Sequence, residues 1–179
     1  ALAKCYAEVD EVFGDDLSVL PTETQISKLP YLLQCMKEAL RLWPVGAGFQ
    51  LRPLADEVIG GKYRVKKGQP ILILTPQIQR DPSIFPDPEK YDPDRFLPEV
   101  EASRPHWAWM PFGNGQRACI GRHFSFYESQ LLLGLILQRF NLIDSFDYQL
   151  EIKDFFAIKP ANLTITVKPR EGREAAVLA

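Results

Sequence analysis

Long apolar runs are missing from this chain. No stretch reaches the roughly 20 residues that a membrane-crossing helix needs, and the first residues show no basic region followed by an apolar one. The chain is therefore expected to be soluble and to hold no membrane segment. Cysteine is scarce as well: Cys5, Cys35 and Cys119 are widely separated and odd in number, which does not build a disulfide framework and favours a reducing, cytoplasmic setting. Nor does either sign of charge dominate. With 21 basic residues against 23 acidic ones and a net charge of -2, neither nucleic acid nor an anionic membrane is an expected partner. No internal repeat is visible. What is present is a globular composition, 46% hydrophobic over 179 residues, enough for the core of one domain.

The chain opens inside an element. Ala1 to Phe13 reads as helix, with Leu2, Cys5, Tyr6, Val9 and Phe13 along one side, and since the first residue is not Met, a piece of a longer protein is expected. Thr22 and Gln25 have the spacing of a capping box. A second helix, Tyr31 to Leu42, repeats Leu32, Leu33, Met36, Ala39 and Leu40 at helical spacing, and Pro44 stops it. Glu57 to Ile59, Tyr63 to Val65 and Ile71 to Leu74 read as short strands joined by glycine-bearing hairpin turns. Between Pro76 and Pro111 prolines are too frequent for regular structure, yet Ile84, Phe85, Tyr91, Phe96, Trp107 and Trp109 are interleaved with them, as in a packed meander. The longest helix, from about Gly121 to Phe140, is apolar on nearly every side and is expected to be buried. Tyr148 to Ile152 and Leu163 to Val167 alternate like a closing hairpin.

One segment carries chemistry. In Phe112-Gly113-Asn114-Gly115-Gln116-Arg117-Ala118-Cys119-Ile120-Gly121, a cysteine stands in a glycine-rich loop directly before that longest helix. A helix N-terminus offers unpaired N–H groups and partial positive charge, both of which favour an anionic sulfur as metal ligand. Glycines at 113, 115 and 121 allow the backbone to lie close to a flat ligand, and Arg117 is within reach of an anionic group at its edge. Taken alone, Cys119 reads more readily as a small buried hydrophobe under a helix cap. Structural zinc is a poor competitor, because it wants four ligands and His123 is the sole nearby histidine. The Cys-x-x-Cys-His pattern of covalently attached heme is absent.

Phe112 to Gly121 resembles the full Phe-x-x-Gly-x-Arg-x-Cys-x-Gly heme motif of the cytochromes P-450, matching it at every fixed position. The resemblance implies heme b as cofactor, Cys119 as the axial thiolate of its iron, Phe112 beside the sulfur, Arg117 on a propionate, and Gly113, Ile120 and Gly121 against the porphyrin. Such a thiolate favours O–O cleavage. Glu38-Ala39-Leu40-Arg41, an exposed i, i+3 ion pair on its own spacing, resembles the family's Glu-x-x-Arg helix, and Pro93-Asp94-Arg95-Phe96 its Pro-x-Arg-Phe meander. A buried structural network of Glu38, Arg41 and Arg95 is implied. Arg52 stands where many members carry an Arg for the second propionate. Gln77 to Pro82 resembles the family's His-Arg-Asp-Pro tract with Gln79 in place of His, so Gln79 is assigned no role in heme binding.

The resemblance spans essentially the whole chain and is nearest to the soluble fatty-acid hydroxylases fused to their reductase. It implies a mainly α fold with small β-sheets, residues 1–179 being the C-terminal heme-binding portion of a single domain whose distal, oxygen-activating helix lies outside this chain. The implied reaction is insertion of one atom of O2 into a lipophilic substrate, with electrons from a flavoprotein reductase, possibly fused, or from a ferredoxin. A peroxide-driven enzyme and an inactive heme-binding fragment are the alternatives. Val45, Gly46, Ala47 and Gly48, with Phe155, Phe156 and Ala157 at the tip of the last hairpin, are expected to face the substrate, the glycines leaving room above the heme.

Overall fold

In the computed structural model, residues 1–143, 148–154 and 157–173 are described. Helix α1, Leu2–Phe13, buries Cys5, Val9 and Phe13 and ends at Gly14, whose φ of 69° leaves the helical region. Thr22 and Gln25 form both bonds of the capping box that starts the short α2, Glu23–Ile26. Helix α3, Pro30–Leu42, has proline in its first turn, where the missing N–H costs nothing. Its next two amides are capped from another element: Tyr31 and Leu32 N–H donate to the Glu8 carboxylate at 2.7 and 2.9 Å.

Strand β1, Gly48–Leu51, follows α3; β2, Glu57–Ile59, and β3, Tyr63–Val65, form a hairpin; β4 is Ile71–Leu74. The turn at Gly60 and Gly61 has positive φ at both residues, as a tight hairpin requires. Ile71–Leu74 does not continue that hairpin, however. It pairs antiparallel with β1, Gly48 opposite Leu74, because the chain doubles back at Gly68, whose N–H reaches Pro53 O at 2.9 Å. Helix α4, Thr75–Ile78, then opens a stretch of 3-10 turns, Pro93–Phe96 and His106–Ala108, around α5, Pro98–Ser103. Phe85 and Phe96 anchor it, 1% and 2% exposed.

Helix α6, Arg122–Arg139, continues into β5, Phe140–Ile143. The last strands are β6, Ile152–Asp154, β7, Ile158–Pro160, and β8, Thr166–Pro169. The expected hairpin between the segments at 148–152 and 163–167 does not form. Instead β6 pairs with β7 and β8 returns to β5, because Tyr6 has already placed β5 on α1: its hydroxyl donates to Phe140 O and accepts from Leu142 N–H.

The core lies where α1, α2, α3 and α6 meet: Cys5, Val9, Phe13, Ile26, Leu29, Leu32 and Leu137 form one buried cluster. Each large apolar side chain fully removed from water contributes about 1.5–3 kcal/mol. Two sequence expectations are corrected here. Helix α6 is not buried all round: Phe124, Leu132, Leu133 and Ile136 are exposed, since the described elements packed on it, chiefly α1, α2 and α3, leave those side chains uncovered. In α3 the buried side chains include Gln34, Glu38 and Arg41, the last two completely so, whereas Leu33, Met36, Ala39 and Leu40 are half-buried. The polar face of α3 is the one the meander covers.

Candidate cofactor-binding site

The loop before α6 is fixed from within. Gly113 and Gly115 adopt φ of 75° and 69°, a region that only glycine enters freely. Gly113 N–H donates to Met110 O at 3.1 Å, Ala118 N–H to Gly115 O at 3.1 Å, and Cys119 N–H to Phe112 O at 2.8 Å. Gly121 caps α6 with φ of -81°, and a Cβ there would stand at an ordinary 3.7 Å from the Cys119 sulfur. Neither strain nor crowding demands glycine at that position. Cys119 itself is an exposed free thiol, which removes the reading of it as a buried hydrophobe. Ile120 is fully exposed.

The thiol opens on a cavity of about 510 Å3. Phe112, Gly113, Arg117 and Ser125 share its lining with Cys119; Leu40, Val45, Gly46, Gly48, Phe49, Met110 and Pro111 supply most of its apolar wall. A larger open groove, about 720 Å3, lies between α2, α3 and the start of α6, but Cys119 does not line it. Among the described residues no three His, Cys, Asp or Glu side chains gather as a metal cluster, and of those four residue types the described lining of this cavity holds Cys119 alone.

Beneath the loop, the Glu38–Arg41 pair is completely removed from water, with a two-pronged contact at 2.7 and 2.9 Å. Its remaining valences are filled: Arg41 donates to Gln79 O at 2.9 Å and Lys90 O at 3.2 Å, and Asp92 N–H donates to Glu38 at 2.8 Å. Arg95 Nε is 3.5 Å from Glu38, near enough for attraction but without hydrogen-bond geometry; its Nη2 donates to Asp87 O at 3.0 Å. Arg104 bridges the same wall, its guanidinium over Phe85 and Phe96 at 4.9 and 4.7 Å. Trp109 links wall and loop by stacking on Phe126, by edge contacts with Phe96 and Phe112, and by Nε1–H to Lys37 O.

The structure thus brings Cys119, Phe112, Gly113, Arg117, Val45, Gly46 and Gly48 to one cavity, and Glu38, Arg41 and Arg95 to one network. Ala47 is exposed, its carbonyl accepting from Thr75 N–H. Ile158 N–H bonds Val45 O at 2.8 Å, which sets Ala157 beside that loop; Phe155 and Phe156 lie outside the described residues. Arg52 stays away from the cavity, exposed and hydrogen-bonded to Gln50 Oε1. Gly48 does not leave room: a Cβ there would meet Ile73 O at 2.2 Å, whereas one at Gly46 would meet nothing within 4 Å. Sequence reasoning missed Gln79, which is fully buried and hydrogen-bonded through both ends of its amide. A glutamine in a polar tract carries no outward sign of burial. It missed the Trp109–Phe126 stack for the same reason, the partners being far apart in the chain.

An exposed thiol at the head of a long helix, beside an arginine and an apolar cavity on a helical scaffold with small sheets, fits the heme-thiolate class that the motif resembles. The sequence model of the family described as cytochrome P-450 matches residues 1–167. The chain is 44% identical over 171 residues to the bifunctional cytochrome P-450/NADPH reductase 2 of Bacillus subtilis, covering 95% of this chain and 16% of that protein. It is 42% identical over 180 residues to a self-sufficient cytochrome P-450 monooxygenase of Aspergillus niger, covering 99% and 17%. The crystal structure of the cytochrome P450DA heme domain superposes with a TM-score of 0.90 at 41% identity, covering 94% of this chain and 37% of that one. The chain belongs to the cytochrome P-450 family, and it spans about a sixth of the length of the fused relatives.

Heme is the family's cofactor, and the residues here fit it. An unshielded sulfur, a glycine loop whose Gly113 Cβ position meets only Ala118 Cα at 3.8 Å, and one cation on an apolar rim suit a flat dianionic ligand held by one thiolate. Among the described residues no helix is long and apolar enough to cross a membrane.

Proposed function

We propose that residues 1–179 are the C-terminal heme-binding portion of a single monooxygenase domain, with Cys119 as the residue whose thiolate would bind heme iron. The observation that carries this reading is the exposed Cys119 thiol sharing a cavity with Arg117 and Phe112. Heme held there supplies, once reduced, the capacity to cleave O2 and transfer one oxygen atom to a C–H bond or double bond. The chain's own residues do the holding. Cys119 would give the sulfur, and Arg117 would pair with one propionate. Arg52 would serve the second on releasing Gln50 Oε1. Phe112, edge-on against Phe126 at 5.3 Å, stands on the same cavity wall as the sulfur. Gly113, Ile120 and Gly121 would lie against the cofactor.

The substrate side is apolar. Val45, Gly46 and Phe49 with Leu40 favour a lipophilic molecule such as a fatty acid, with Gly48 on the same wall and Ala47 and Ala157 beside it. A flavoprotein reductase is the electron donor, in line with the reductase-fused relatives. Thiolate ligation gives the reduced carbon monoxide complex a red-shifted main band. In the full-length protein Cys119→His is expected to remove that band and the NADPH-supported oxidation with it; a variant that keeps the band would overturn the assignment.

A further inference from the structure

Gln79 is completely buried and lies between α3 and the loop that carries Cys119. Its Nε2 donates to Leu40 O at 3.0 Å and Arg41 O at 2.9 Å. Those are two of the carbonyls that the last turn of a helix leaves without partners. Its Oε1 accepts from Met110 N–H at 2.8 Å, and its own carbonyl accepts from Arg41. From Met110 the bonds continue: Met110 O accepts from Gly113 N–H, and Phe112 O, two residues on, accepts from Cys119 N–H. Of the neutral side chains, only an amide offers two N–H donors and a carbonyl acceptor at one tip.

We propose, relying on the heme-thiolate reading for its spectroscopic consequence alone, that Gln79 is a positioning residue which sets the thiolate loop. It transmits the position of the ion-paired α3 through the Met110 amide to Phe112 and Cys119. It touches neither the cavity nor the sulfur; it holds the strand of backbone from which both hang. The acceptor end does the positioning, and the two donors hold the acceptor still.

The test uses the full-length heme-loaded protein. Gln79→Met keeps the length and removes every polar atom; Gln79→Glu, held as the neutral acid by burial, keeps an acceptor for Met110 and one O–H donor for the Leu40 or Arg41 carbonyl. In Gln79→Met, hydrogen exchange at the Met110 amide is expected to speed up about tenfold. At equal heme loading, part of the reduced carbon monoxide complex should move from the thiolate band to the unshifted position. Gln79→Glu should hold Met110 exchange within about twofold of the unsubstituted protein. Unchanged exchange in Gln79→Met overturns the proposal, as does lost protection with an undisturbed thiolate band, which is what a merely structural glutamine would produce. Should Gln79→Met not accumulate, Gln79→Glu decides alone: retained Met110 protection supports the acceptor role, and a tenfold loss sinks it. If the unsubstituted protein lacks the thiolate band, the heme reading falls, and Met110 exchange still decides whether Gln79 holds the loop.

Discussion

Glu38 and Arg41 have no solvent to fall back on, both being 0% exposed. Two opposing effects meet there: desolvation penalises the pair, and five contacts to Arg41, Asp92, Gln79 and Lys90 offset it. Breaking one partner removes the offset and keeps the penalty. Glu38→Gln preserves the shape but leaves the Arg41 charge uncompensated, so it is expected to lower unfolding free energy by about 3–5 kcal/mol, read from urea unfolding midpoints. A loss under about 1 kcal/mol, the scale of an exposed pair, would show that the network tolerates an unpaired charge. The i, i+3 spacing of Glu38 and Arg41 was legible in the sequence. Their burial was implied by the family resemblance and not by the spacing, because it depends on Gln79, Lys90 and Asp92, which return from about 40 to 50 residues later in the chain.

At the scale of elements, β1 went unread in the sequence because its glycine looked like loop. Gly48 is instead a packing requirement of the β1–β4 pair: its Cβ position lies 2.2 Å from backbone oxygen of Ile73, which no rotamer change relieves. Gly48→Ala is therefore expected to cost about 1–3 kcal/mol by overpacking, with faster hydrogen exchange across 48–51 and 71–74. Gly46→Ala, pointing into open space, should leave the melting temperature within a degree or two of the unsubstituted protein, on the order of 0.5 kcal/mol or less. Equal losses in the two variants would show that strand contact does not distinguish them. Gly46 is consequently the better position from which to probe the cavity with a larger side chain.

For the molecule as a whole, the C-terminal strand is fastened to the first helix by charge. Arg170 grips Asp10 with bonds of 2.6 and 2.7 Å, and Arg173 reaches both Asp10, at 2.9 Å, and Asp15. The bond from Arg170, followed by that from Arg173, holds the Asp10 carboxyl below its ordinary 3.8 despite some opposing desolvation. A carboxylate depressed in the folded state contributes stability that is present above its unfolded value and is lost as pH falls through the folded one. Between about pH 5 and about pH 2, exchange protection of 166–170 should accordingly fall, and Asp10→Asn should show low protection with little pH dependence across the same window. An identical acid profile in both proteins would place the acid-sensitive contact elsewhere.

By itself, the sequence determined what depends on near neighbours along the chain. The helical periods of α1 and α3, the capping box at Thr22, the paired glycines of the β2–β3 turn and the Cys119 loop at the head of α6 are all local, since each rests on hydrogen bonds spanning a few residues. The match of Phe112 to Gly121 to a family motif was local in the same sense. Tertiary structure alone decided which strands pair, that β4 joins β1 and β8 joins β5, which face of α3 is buried, and that Arg52 turns to Gln50 while Arg117 stays on the cavity. Those outcomes are set by which surfaces of distant segments exclude water together. A side chain's own chemistry does not reveal that, so a buried glutamine and an exposed one read alike until the chain has folded around them.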